Sequence, residues 1–123
     1  MQVLVVEPER RPELREIDGS MKSMQSIVGG LIQSVYPFDD PVALVCNDKG
    51  KLMQLPANRG LRDKDGQIYD IVFGTFFLCG APPDSDRFTG LTPEQVEKFQ
   101  IMSCCPEMFW GANGQIVCLP IEE

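Results

Sequence analysis

The stretch Val3-Leu4-Val5-Val6 constrains this chain more than any other, because its four apolar residues show none of the alternation expected of a half-buried strand. An uninterrupted apolar run of this kind suits a strand covered on both faces, and Pro8 closes it by removing a backbone donor. A second apolar stretch, Ile68 to Ala81, carries Phe73, Phe76 and Phe77 around Gly74 and reads as the core strand. At 123 residues the chain has the length of one domain, 1–123, and such a domain buries roughly two thirds of the surface its unfolded form exposes. Enough chain is therefore present to cover both faces of a sheet.

The remaining elements follow from turn and cap chemistry. Glu13 to Asp18 suits a short partner or edge strand, paired back on the first through the charged turn at Glu9-Arg10-Arg11-Pro12. Ser20 is placed to cap a helix in which Met21, Met24, Ile27 and Val28 recur at helical steps, with Gly29-Gly30 as its stop. Ile32 to Phe38 and Val42 to Cys46 are further strands. Asn47-Asp48-Lys49-Gly50, with Gly50 free to take positive φ, predicts a hairpin in which Lys51 to Leu55 returns as a strand. Pro56 to Gly66 reads as a polar, basic, turn-rich segment, and Gly80 to Gly90 as a loop. Thr92-Pro93-Glu94-Gln95 is a capping box with proline at the first helical position, and Leu91 can staple to Val96. The helix it opens should bury Val96, Phe99 and one of Ile101 or Met102, and end before Pro106. Phe109 to Gly114 reads as a turn and Gln115 to Leu119 as a last strand. The expected fold is α+β, a small mixed or antiparallel sheet packed on one or two helices in the manner of the β-grasp folds.

Charge and composition exclude several function classes. The net charge of −7 opposes attraction to duplex nucleic acid or to an anionic membrane. No apolar run approaches the roughly 18 residues of a membrane span, and Met1 leads straight into a strand without a basic flank, so a cytoplasmic location is expected. Histidine is absent, which removes the usual base for activating a serine or cysteine and the commonest imidazole ligand. The five cysteines, Cys46, Cys79, Cys104, Cys105 and Cys118, contain no Cys-x-x-Cys pair and read as buried thiols. No metal and no cofactor are expected. Asp63-Lys64-Asp65-Gly66 imitates part of a calcium loop, but aligning Gly66 with the loop glycine puts Leu61 and Val72 where ligands belong, so a surface turn is the better reading. Asp39-Asp40 beside Pro41 is likewise read as a turn and not as an acid and base pair. An enzyme would need an Asp, Glu or Tyr centre, and no pair stands at convincing spacing; the chain is read as a non-enzyme.

Asn58, Arg59 and Arg62 place an amide and two guanidinium groups close together in an acidic protein, and planar guanidinium forks suit phosphates and carboxylates. Tyr69 lies nearby, and Tyr36 can join it if the sheet folds back, to give a surface on which a base stacks. The alternative is structural: Arg59 pairs with Asp63, Asp70 or the Asp39-Asp40 turn, and Asn58 caps local backbone.

The segments Val3 to Pro8, Glu16-Ile17-Asp18-Gly19, Ile27-Val28-Gly29-Gly30, Tyr36-Pro37, Leu55-Pro56-Ala57-Asn58-Arg59 and Gly74-Thr75-Phe76-Phe77 together resemble a family of unknown function. Its members are short proteins encoded by phages and conjugative elements of Firmicutes and other gut bacteria. The resemblance spans about Gln2 to Gly80 and leaves the tail from Cys104 to Glu123 without a counterpart. It implies a setting in a bacterial host cytosol, and Thr75 of the Gly-Thr-Phe-Phe segment is a further candidate contact. The reading that results is a non-enzymatic mobile-element accessory protein, an anti-defence protein that sequesters a nucleotide-derived signalling molecule through Asn58, Arg59, Arg62, Tyr36, Tyr69 and Thr75. The alternative is an acidic, antirestriction-like inhibitor that binds a host defence protein or DNA-binding enzyme. Whether Phe109-Trp110 belongs to the core or to a homo-oligomer interface stays open on sequence grounds.

Overall fold

The computed structural model describes the backbone of residues 1–112 and 115–120 and the side chains of residues 1–109. The chain runs β1 (Gln2–Val6), β2 (Glu13–Glu16), α1 (Met21–Val28), β3 (Ile32–Val35), β4 (Val42–Asn47), β5 (Ala57–Arg62), β6 (Ile68–Phe73), β7 (Phe76–Gly80), α2 (Pro93–Met102), β8 (Glu107–Ala112) and β9 (Gln115–Pro120). Five strands form one sheet in the order β2-β1-β7-β4-β3, antiparallel at every pairing. The expected α+β class holds, with the sheet antiparallel.

Register decides what the sheet covers. Leu78 in β7 lies opposite Leu4 in β1 and Leu44 in β4, and Phe77 lies opposite Val5 and Val45. Because side chains alternate along a strand, Leu4, Val6, Leu44, Phe76 and Leu78 share one face with Phe99 of α2. Val3, Val5, Ala43, Val45, Phe77 and Cys79 share the other with Met24 and Val28 of α1. Each helix thus has its own face, instead of one helix being gripped by the sheet, and the unbroken apolar run Val3 to Val6 is sealed from solvent because both faces are covered.

The two helices begin as their caps dictate. Ser20 Oγ accepts from the Ser23 amide, and Asp18 accepts from the Ser20 amide at 2.8 Å. Gly29, at φ 80°, closes α1 with its amide on the Gln25 carbonyl. Asn47 holds the same helix end from β4, donating from Nδ2 to the Val28 carbonyl at 3.2 Å. At α2 both halves of the capping box form, with Thr92 accepting from the Gln95 amide and Gln95 accepting from the Thr92 amide.

Five expectations need correction. Lys51 to Leu55 does not return as a strand: it coils through Met53 N to Lys49 O and Leu55 N to Gly50 O bonds, because β3 and β7 already occupy both edges of β4. Gly50 is required there by close approach, since a Cβ on it would stand 2.7 Å from the Phe73 carbonyl oxygen. The polar segment Pro56 to Gly66 contains a strand, β5, which pairs with β6 in a separate two-stranded sheet. The core run Ile68 to Ala81 is two strands, broken at Gly74, whose φ of 85° turns the chain from the hairpin into the central sheet. Ile101 and Met102 are both exposed, at 70% and 54%, so α2 contributes Phe99 and Val96 to the core and neither of them. The turn expected over Phe109 to Gly114 is also narrower, because β8 runs to Ala112; Asn113 and Gly114 lie outside the described residues.

Phe99 is fully buried and packs on Phe38 with ring centroids 4.7 Å apart. Phe99→Ala is expected to lower stability by about 3–5 kcal/mol while Ile101→Ala changes it by less than about 0.5 kcal/mol, a contrast urea denaturation will read. Asp18 gives a pH prediction. The Ser20 amide, then the Ser20 and Ser23 hydroxyls, hold its carboxyl down at about 2, against an ordinary value of 3.8. A depressed carboxylate pKa contributes stability that is present above the unfolded value and lost as pH falls through the folded one. The start of α1 should therefore fray between about pH 4 and pH 2, followed through the Ser20 amide resonance, and Asp18→Asn should abolish that titration.

Candidate ligand site

The β5–β6 hairpin and α2 lie on the same face of the central sheet, and a cleft of about 680 Å³ opens between them. Its floor is apolar, made by Leu44, Phe76 and Leu78 of the sheet, with Phe38, Leu61 and Met102 on its sides. Its polar lining is balanced, with the cations Arg59, Arg62, Lys64 and Lys98 facing the acids Asp39, Asp40, Asp63 and Glu107.

The hairpin is bolted down by buried polar groups. Asn58 is fully buried, and its Nδ2 donates to the Val6 carbonyl at 2.8 Å and to the Gly74 carbonyl at 2.9 Å. One side chain thus ties β5 to the end of β1 and to the bend between β6 and β7. Its Oδ1 accepts from Arg59 Nη1 at 2.8 Å. Arg59, 6% exposed, spreads its guanidinium over carbonyls: Asn58 at 3.2 Å through Nη1, and Arg10 at 2.6 Å and Ser103 at 3.2 Å through Nη2. A guanidinium suits this task because its donors diverge in one plane and can reach several acceptors at once. It joins the turn after β1, strand β5 and the end of α2.

Arg62 sits farther out and meets Glu107 Oε1 at 2.6 Å. Glu107 is buried, and its Oε2 accepts from the Gly60 amide at 2.8 Å, so the carboxylate locks the start of β8 to β5. On the opposite wall Lys98 Nζ pairs with Asp40 Oδ1 at 2.7 Å and lies 5.6 Å from the Phe99 ring centroid. At the hairpin tip Asp63 Oδ1 accepts from the amides of Asp65 and Gln67, both at 2.9 Å, and Gly66 takes φ 82°. The carboxylate of Asp63 is committed to the surface turn.

Of the six expected contacts, three line this cleft: Arg59, Arg62 and Tyr69. Asn58 supports it from beneath, with its amide consumed by backbone. Tyr36 is exposed and lines a different cleft of about 410 Å³, formed with Pro82, Pro83 and Phe88, so it does not join Tyr69. Thr75 stands half-buried at the bend between β6 and β7 and lines neither. Arg59 does not pair with Asp63 or Asp70 in the ways expected of it: Asp70 takes Lys51 at 2.7 Å. Burial works to raise the Asp70 pKa, but the Lys51 hydrogen bond, the Ile71 amide and the Lys51 charge outweigh it and leave the group below its ordinary value. Lys64, Lys98 and Glu107 were not singled out from sequence; Glu107 carries no local signal, because its partners Gly60 and Arg62 are brought to it only by the folded hairpin.

Asn58→Asp separates a clamp from a contact residue. It keeps an acceptor for Arg59 and loses both donations to buried carbonyls, so stability should fall by about 2–4 kcal/mol, read as a lower urea midpoint with an unchanged slope. A midpoint equal to that of the parent chain would contradict the structural role.

No curated protein and no solved structure gives a match. A family described as a domain of unknown function, DUF3846, matches residues 1–103. The match is wider than the resemblance over Gln2 to Gly80, takes in the central sheet, the β5–β6 hairpin and both helices, and stops ahead of β8. On a match covering most of its length, this chain belongs to the DUF3846 family.

Proposed function

We propose that this chain is a non-catalytic binding protein that holds a small, ring-containing anion of nucleotide type in the cleft under the β5–β6 hairpin and so withholds it from another protein. The observation that carries this reading is the cleft itself: about 680 Å³, apolar on its floor, with Arg62, Lys64 and Tyr69 on the hairpin wall. Pockets of this size and lining take small molecules, and a few convergent polar groups orient them. Tyr69 is 58% exposed and presents a ring face for stacking. The guanidinium of Arg62, already aligned by Glu107 and by the Gly60 carbonyl at 3.3 Å, adds a planar donor set for an anion. The equal numbers of cations and acids in the lining favour a ligand with one or two charges, such as a phosphodiester, over a triphosphate. Binding of this kind needs no general base, in keeping with a chain that has no histidine. The setting we propose is a phage or conjugative element acting in a bacterial host's cytosol, where such a protein blunts a nucleotide-signalled defence.

A second reading, an acidic inhibitor that binds a host protein, is favoured by the net charge of −7. Arg59→Ala does not discriminate between the two, because Arg59 is part of the framework. Tyr69→Ala and Lys64→Ala do, since both side chains are exposed. Calorimetry against cyclic dinucleotides and ADP-ribose derivatives is expected to show heat that Tyr69→Ala weakens about tenfold, equivalent to about 1.4 kcal/mol of stacking. The ligand reading fails if the whole panel gives no heat and the amides of residues 60–69 do not shift. The inhibitor reading instead predicts a protein complex that weakens with salt and tolerates both substitutions.

A further inference from the structure

Adjacent side chains in a helix or strand normally point apart. Cys104 and Cys105 do not, and their Sγ atoms stand 3.2 Å from each other. They lie in the irregular connection after α2, where the Ser103 amide caps the helix on the Phe99 carbonyl and Pro106 follows. A residue before proline is kept out of the helical region, so the chain must leave α2 here, and the bend swings the two thiols to one side. Cys104 is half-buried and Cys105 exposed, and Cys105 lines the cleft. The other two cysteines with described side chains are different. Cys46 and Cys79 are buried; burial, then the Asp48 and Asp70 charges, pushes the Cys46 thiol up, and burial pushes Cys79 up to about 12.

We propose that Cys104 and Cys105 form a reversible oxidation site, a vicinal dithiol that closes to a disulfide with two-electron oxidants of the peroxide class. The thiolate of one cysteine attacks a peroxide oxygen, the O–O bond breaks, and the released oxygen leaves as water to give a sulfenic acid. The neighbouring thiolate attacks that sulfur, the S–S bond forms, and the sulfenic oxygen leaves as the second water. Two thiols lose two electrons and two protons, and one peroxide becomes two waters. Reversibility follows from adjacency: neighbouring Cα atoms are held about 3.8 Å apart, shorter than the span of about 4.4–6.8 Å that unstrained disulfides adopt. A bond under that constraint is readily reduced, which marks a labile site and not a permanent staple. Its place matters to the cleft, because Cys105 is in the lining and the Ser103 carbonyl beside the pair is an acceptor of the Arg59 clamp.

The full chain, reduced and freed of reductant, is treated with equimolar hydrogen peroxide, alkylated with N-ethylmaleimide and measured by intact mass and peptide mapping. The expected result is loss of two hydrogens, with the peptide containing Cys104 and Cys105 refusing label until dithiothreitol restores both thiols. Cys118→Ser should retain that loss, and Cys104→Ser and Cys105→Ser should each abolish it. Oxygen adducts without loss of hydrogens, a disulfide that maps to Cys118, or survival of the two-hydrogen loss in Cys104→Ser would each overturn the proposal.

Discussion

Everything on the α2 side of this protein depends on the amide of Asn58. It is closed off from water, so its two donated bonds cannot be exchanged for solvent without a penalty of about 1–3 kcal/mol for each buried polar group left unpaired. It spends them on the carbonyls of Val6 and Gly74, one at the end of a central strand and one at the bend from which the central β7 departs. The β5–β6 hairpin is therefore held at a set inclination over the sheet. Arg59 extends the same network to Ser103 at the end of α2 and to Arg10 after β1. The cleft is the space between a hairpin and a helix that Arg59 fastens together at the end of α2.

The second constraint is the central sheet. Leu4, Leu78 and Leu44 meet across three strands on one face, and Val5, Phe77 and Val45 on the other. Antiparallel sheets often leave one face wet; this one does not, because α1 covers one side and α2 with the hairpin covers the other. The apolar floor of the cleft belongs to this second face, where Leu44, Phe76 and Leu78 lie between α2 and the hairpin and are nearly sealed from solvent. Its polar rim comes from the covering elements, whose outer surfaces carry the charges of an acidic protein.

Local signals in the sequence were read correctly where the deciding interactions lie within a few residues. The capping box at Thr92 to Gln95, the Ser20 cap, the Gly29 stop and the edge strand at Glu13 are of this kind. The hairpin expected at Asn47 to Gly50 had equally good local chemistry and failed, because β4 has no free edge on which Lys51 to Leu55 could pair. Met102 sits at helical spacing from Phe99, yet α2 leaves it, like Ile101, exposed past the rim of the core. At the site the cluster of Asn58, Arg59 and Arg62 was visible as a concentration of polar donors, but their division of labour was not. Asn58 and Arg59 face acceptors 52 and 49 residues away, and no spacing rule reports such partners.

The sequence by itself determined that the run Val3 to Val6 would be a strand covered on both faces, that Ile68 to Ala81 would be strand-forming though not that it breaks in two at Gly74, where the helices begin, and that this chain offers no histidine. Those properties are set by side-chain volume, hydration and backbone preference, which act locally. Only the tertiary structure decided that Arg59 is framework while Arg62 and Tyr69 look into a cleft, that Tyr36 lies elsewhere, and that Glu107 closes onto β5. These outcomes rest on hydrogen bonds and ion pairs between groups distant in sequence, and such bonds have directions and partners only after the sheet has brought the segments together.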